Sequence, residues 1–472
     1  MKKILSYTII IAAFIVTFSS CKKYLDINEN PNAAAEPPIN GLLANTTFGT
    51  ATNVFRASDF TSYYTQYLAS PNASSAADVY DQIDESVTWS AFYNIMTDLY
   101  DMKKFAAQKN LNAYIGVSDV LMALHLNTLT NIWGDVPYSE AFLGVQNLVP
   151  KFDDQQALYD TCIDLLDKGI AALQQPDADG EISSESDFIH GGSTAAWIKT
   201  AHALKARMLN QLSKTSQYNT GSVLTELSSS YSDNSDDAQV AVYETDVNPS
   251  PWGSVAIANA GLDLDGWLSS YFVDATNSAI YGVFDPRLPL ITQTNKDGIY
   301  VGTPNGKGRV GTGTTHDECY LDVDKWYSTP TSPVQIVTYA ETKFIEAEAQ
   351  FRAGSKTEAY DAYIAGIKAH MEKLGVADTA IQRYTTEPTV AVGSANLTLA
   401  LIMKEKYVAC FLSPVTWDDM RRTDYAYQGF TLPVNALLPS FIRRVNYPNN
   451  ELSANGKNAP SVQLTDHLWW DQ

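Results

Sequence analysis

Positive charge is scarce in this chain. Its 472 residues carry 32 Lys and Arg against 53 Asp and Glu, a formal charge of -21. Nucleic acids and anionic membrane surfaces are gripped by clustered Lys and Arg, so this balance argues against both as partners. Cysteine is equally sparse, with Cys21, Cys162, Cys319 and Cys410 at no close spacing. That pattern excludes a disulfide framework, and no Cys/His arrangement has the spacing of a zinc site. Neither a G-x-S-x-G nucleophile elbow nor an H-E-x-x-H helix occurs. Beyond the first twenty residues no apolar run approaches the length that crosses a bilayer.

The one apolar run present is informative. Lys2 and Lys3 precede a stretch from Ile4 to Phe18, which ends in Ser19, Ser20 and Cys21. A basic head, a short apolar body and a small-residue exit make residues 1–20 a secretory signal peptide. Phe18-Ser19-Ser20-Cys21 resembles the lipobox of bacterial lipoproteins, although Phe18 stands where an aliphatic residue is usual. The resemblance implies acylation of Cys21, and two or more acyl chains hold a protein stably on a membrane. A plain secretory signal with a Cys at its exit is the alternative. Removing residues 1–20 takes away Lys2 and Lys3, so the charge of -21 becomes -23 over the remaining 452 residues. Residues 21–40, with Pro31, Pro37 and Pro38, read as a tether.

Residue 41 onward is read as one domain, and its periodicity is helical. Stripes are expected over 41–68, 86–108, 112–133, 153–174 and 193–214. Val117, Val120, Leu121, Leu124 and Ile132 mark the third, and Ser193 or Thr194 is the expected N-cap of the fifth. From about 229 to 333 periodicity is lost, and Gly, Pro, Asp, Thr and aromatics dominate. Irregular stretches this long are functional or disordered, and the aromatics argue against disorder. Helices are expected again from Val334. Gly354 separates two stripes and Gly375 ends the second, the layout of a helix hairpin. The expected organisation is mainly α: repeats at about 41–228 and 334–424, an irregular lobe at about 229–333 and a tail at 425–472.

Four stretches carry a family resemblance. They are Asn131 to Phe142 (NIWGDVPYSEAF), Tyr339 to Gln350, Trp417 to Asp424 (WDDMRRTD) and Arg443 to Glu451 (RRVNYPNNE). Taken in order, behind the lipidated start, they resemble the SusD/RagB family of outer-membrane nutrient-binding lipoproteins. The resemblance implies tetratricopeptide-type helix pairs packed against a loop-rich binding lobe. It implies glycan capture on behalf of a SusC-like TonB-dependent barrel, and the protein is read as a non-enzymatic surface lipoprotein with no cofactor. Met403 to Tyr407 lacks the Glu-Arg pair of the starch-binding branch, which leaves the substrate open.

Sugar rings stack their C–H faces on Trp and Tyr, while amides and carboxylates take the hydroxyls. The candidates for that role are Asn72, Tyr80 and Asp81 in the first long loop, and Trp252, Trp267 and Trp326 in the irregular region. Packing of these aromatics within the lobe is the competing reading. Gly306 to Gly311 matches G-x-G-x-x-G but has no helical stripe after it, so it reads as a loop rather than a dinucleotide site. Two acidic turns, 177–181 and 263–266, lack the EF-hand pattern and read as solvated, with no metal. A surface glycoside hydrolase and a peptide-binding or assembly lipoprotein are the rival functions, since paired carboxylates carry no local signature.

Overall fold

Helices form where the stripes are. The structure is a computed structural model that describes residues 37–177, 182–262, 265–311 and 315–472. The signal segment 1–20, Cys21 and the tether as far as residue 36 lie outside the described residues. Six helices open the body, with one short strand among them: α1 (Ile39–Tyr64), β1 (Leu68–Ala69), α2 (Ser86–Lys109), α3 (Asn112–Trp133), α4 (Gln155–Leu173), α5 (Thr194–Gln211) and α6 (Thr220–Ser228). Each helix packs on the next. Their ends are set locally. Asn110, in the left-handed conformation, stops α2. Asp154 caps α4 by accepting from the Gln156 and Ala157 N–H groups, and Ser193 caps α5 through Ala196 N–H. The expected stripe of α3 is buried throughout. Its backbone comes close to α4 at two glycines: a Cβ on Gly116 would lie 2.9 Å from the Gly169 carbonyl oxygen.

The irregular region holds β2 (Ala238–Val240), α7 (Pro251–Leu262), β3 (Trp267–Leu268), α8 (Ser270–Thr276) and α9 (Leu288–Ile291). The expected helix at Val334 is corrected, because Val334–Val337 is strand β4 and pairs antiparallel with β2. Three β-branched residues in four favour the extended form, and Thr338 then caps the helix that follows. That helix is α10 (Tyr339–Ala353), and after it come α11 (Lys356–Leu374), α12 (Asp378–Tyr384), α13 (Leu399–Ala409), α14 (Val415–Arg422) and α15 (Asn449–Asn455). Helix α10 packs on α11 and α13, and also on α5 and α6. The stack of helix pairs therefore runs on across residues 229–333, which leave it as an inserted lobe.

Buried ion pairs join the parts. Arg207 of α5 donates to both Glu341 oxygens of α10 at 2.6 Å. Arg422 of α14 holds both oxygens of Glu348, which is fully buried. Arg287 of the lobe donates to Asp285 at 2.6 Å and to Glu405 of α13. Arg–carboxylate forks suit such places because their geometry satisfies both partners. The four stretches of the family resemblance meet in this core. Arg421 donates to the Asn131 carbonyl at 2.6 Å and the Arg443 carbonyl at 2.8 Å. The Trp133 indole donates to the Asn446 carbonyl, and Tyr447 to that of Asp135. Cys162, Cys319 and Cys410 are free and buried.

Candidate functional site

The loop after α1 is placed by a two-residue ladder. Leu68 and Ala69 pair antiparallel with Leu268 and Trp267, which brings residues 70–81 onto the lobe. Asp78 then organises three segments. Its carboxylate accepts from the Ser70 N–H, from the Asn305 amide at 2.5 Å and from the Gly306 N–H. Asn305 also donates to the Leu68 carbonyl and accepts from the Ser269 hydroxyl. Burial pushes the Asp78 carboxyl up to about 6, against the pull of those donors. The Ser74 N–H meets the Gly306 carbonyl, Arg309 N–H the Pro71 carbonyl, Val434 N–H the Asn305 carbonyl and Leu437 N–H the Val79 carbonyl. Three stretches, 70–81, 303–310 and 433–437, thus form one surface.

Gly306 and Gly308 are explained by this closure. Both have φ near +78°, and a Cβ would come 1.8 Å from the Val434 carbonyl oxygen at Gly306 and 2.6 Å from Ala73 N at Gly308. The glycine pattern serves contact between loops, in agreement with the loop reading. Asn72 and Asp81 are exposed on this surface, as are the aliphatic side chains of Val310, Val434 and Leu437. Amide, carboxylate and small apolar groups side by side suit a ligand with both hydroxyls and apolar faces.

The aromatic candidates fall differently. Trp267 is fully buried beneath the loops, with the Arg309 guanidinium 4.9 Å from its ring and Tyr320 at 5.5 Å. Tyr80 is fully buried against Tyr64, at 5.9 Å, and Tyr64 in turn lies 5.0 Å from Trp417 of α14. Trp252 is 4% exposed and packs edge-on to Phe55. It lines a void of about 30 Å³, with Tyr327 and Leu412, room for about one water. Trp326 is half-buried, 4.7 Å from Tyr327. So Asn72, Tyr80, Asp81 and Trp267 belong to one loop cluster, while Trp252 and Trp326 pack near Tyr327. A ring with no exposed face presents nothing for a sugar to stack on, so Tyr80, Trp252 and Trp267 act in this structure as support. Segments without periodicity give no sequence signal for which side of a Trp faces in.

Acidic groups adjoin the cluster. Tyr63 donates to Asp265 at 2.5 Å. Burial, with repulsion from Asp265 and Glu85, pushes the Asp59 carboxyl up to about 7. Among the described residues no group of three His, Cys, Asp or Glu could hold a metal ion. An open groove of about 820 Å³ lies elsewhere, between α11 and α12, lined by Tyr360, Ile364, Lys368, Ile381 and Gln382. It contains none of the sequence candidates. Asp78, Asn305 and the aliphatic rim were not legible from the sequence, since their roles arise only when the loops meet.

Solved structures share this fold over nearly the whole chain. One is a SusD/RagB family protein from Bacteroides thetaiotaomicron, 23% identical, with 92% of this chain and 99% of that one covered at a TM-score of 0.74. A SusD homolog from Bacteroides fragilis is 21% identical, with 93% and 100% covered at 0.75. A chitin-binding SusD homolog from Flavobacterium johnsoniae is 18% identical, with 91% and 98% covered at 0.76. No curated protein matches the chain. The family model described as SusD-like, starch-binding and associating with the outer membrane matches residues 31–448, and the chain belongs to that family. Among the described residues no helix is long and apolar enough to cross a membrane.

Proposed function

We propose that this chain is a cell-surface lipoprotein, acylated at Cys21, that binds glycan and passes it to a SusC-like TonB-dependent barrel in the outer membrane. The observation that carries the reading is the joining of three loop segments into one solvent-facing surface on a helical scaffold. The family description names starch and the outer membrane, and two similar structures are described as chitin-binding. We assign Asn72, Asp81 and Trp326 as ligand contacts, with Tyr80, Trp252 and Trp267 holding the surface from beneath. Affinity electrophoresis of the native protein against starch, chitin oligosaccharides and other glycans tests the binding step. Retardation by at least one glycan, weakened in Asn72→Ala/Asp81→Ala, is expected, and no retardation by any would overturn the reading. Recovery of a barrel with the solubilised protein tests delivery, and Cys21→Ala should shift the protein from the membrane fraction to the medium.

One observation favours a second reading. Asp59, pushed up to about 7 by burial and by the acidic neighbours Asp265 and Glu85, has the raised carboxyl that a general acid needs. Reducing ends released from a glycan by wild type, and not by Asp59→Asn, would establish a hydrolase instead.

A further inference from the structure

We propose that residues 24–27 of the tether dock on an apolar face of the body, formed by α2, the loop after α3 and α15. Among the described residues seventeen large apolar side chains are exposed, and six of them gather here: Tyr100, Leu143, Val145, Leu148, Val149 and Leu452. Val145 has 91% of its surface in water. Residues 141–150 carry no charged side chain. The face is continuous. Phe142 stacks on Tyr100 with ring centroids 5.3 Å apart, and the Asn455 amide donates to the Pro150 carbonyl at 2.8 Å. Val149 and Leu452 line one open groove of about 630 Å³. A contiguous apolar surface of this kind marks a place that another chain segment covers.

Where the described chain begins points to the occupant. Helix α1 runs antiparallel to α2: the Asn45 amide donates to Asp98 at 2.6 Å, and the Asn53 amide to the Ala91 carbonyl at 3.2 Å. Ile39, where α1 starts, therefore lies level with the last turns of α2. The apolar face runs from Tyr100 to the point where Asn450 beside Leu452 donates to Ser90 at 2.8 Å. From Ser90 to Lys109 is about 30 Å along the helix. Tyr24, Leu25 and Ile27 are the large apolar residues between Lys22 and Glu36. Leu25 can stand at most about 40 Å from Pro37 in extended chain, so it reaches any part of the face.

Charge agrees with this occupant. Asp26 and Glu29 accompany the apolar residues of the tether. Lys104, one turn from Tyr100, and Lys457, in the groove with Leu452, are exposed and have no carboxylate partner among the described residues. A segment of the same chain also competes with free partners at an effective concentration of about millimolar. The docking is independent of which ligand the loops take. Its consequence rests on acylation at Cys21: the whole tether would let the body stand at most about 55 Å from the anchor, and a docked one about 10 Å. Residues 24–27 would then act as a strap that sets the height of the body over the membrane.

Two measurements on the purified mature protein test the strap. Ile27→Cys combined with Leu148→Cys should close a disulfide within one chain under mild oxidant. Ile27→Cys combined with Gln382→Cys, in the distant α11–α12 groove, should not. Digestion at Glu29 and Glu36 by a glutamate-specific protease should run about tenfold faster in Leu148→Asp/Leu452→Asp than in wild type, at an unchanged unfolding temperature. Equal digestion rates with no disulfide inside the chain would overturn the strap and leave the glycan reading standing. Disulfides formed only between chains would assign the face to a second copy instead. Loss of a co-purifying barrel in Leu148→Asp/Leu452→Asp, with digestion unchanged, would assign it to the transporter, and either result overturns the strap.

Discussion

At the scale of the residue, buried charges separate into those that are paired and those that are only buried. Arg422 sits between Glu348 and Asp419, all three buried. Burial alone would raise Glu348, but the Arg422 charge and hydrogen bonds, with Arg352, hold it well below the usual carboxylate range. Arg422→Met would take the forked partner from Glu348 and leave it Arg352 and Asn210, with Lys406 alone on Asp419, and urea unfolding at neutral pH should show a loss of about 3 kcal/mol. Asp59 is the opposite case, raised by burial and by its acidic neighbours. A carboxyl whose folded pKa of about 7 exceeds its unfolded value binds its proton more tightly in the fold. Stability from that proton is present below about pH 4 and is lost as pH rises through 7. Asp59→Asn should therefore stabilise the protein by about 1 kcal/mol at pH 8 and by much less at pH 5. Unfolding curves at the two pH values check the difference.

At the scale of the element, helix contacts explain which glycines matter. The α3–α4 crossing depends on Gly116 and Gly169, whose added Cβ atoms would meet backbone oxygens at 2.9 and 3.1 Å. Neither oxygen can move without its helix. Gly116→Ala should cost about 1–3 kcal/mol, read as a lowered unfolding midpoint. Helix α3 was legible to the residue, because a dense stripe and the glycine at its exit leave one solution. The strand at Val334 and the short helix α6 were not. Four residues carry too little period to separate strand from helix, and β4 exists because β2 is there to receive it. The burial of Tyr80, Trp252 and Trp267 was hidden for a related reason. Trp267 sits in a two-residue strand whose inward face is set by its pairing with Ala69.

At the scale of the whole molecule, opposing titrations set the acid response. His125 and His190 are lowered to about 4 by burial, and His370 is lowered further by burial with Arg287 beside it. The unfolded chain takes up those protons first, so these residues lose stability as pH falls from about 6.5. Asp59, Asp78 and Asp418 are raised to about 7, 6 and 6 by burial, and their protonation works the other way over the same range. Below that window Glu348, and Asp285 at about 2, have lowered folded values held by Arg422 and Arg287 against burial, and the stability they contribute is lost as they protonate. Stability in urea should therefore be nearly level between pH 7 and 4.5 and fall steeply towards pH 2.

The sequence by itself determined the helical repeats, their caps and the family, because these rest on local periodicity and on motifs within short stretches. Those motifs proved to be packing contacts among Asn131, Glu348, Arg421 and Arg444, which is why they identify the fold without naming a ligand. Only the tertiary structure decided which side chains face water. Asp78 reaching Asn305, and Asn277 reaching Tyr300, join residues far apart in the chain, and exposure is a property of such meetings rather than of any segment alone.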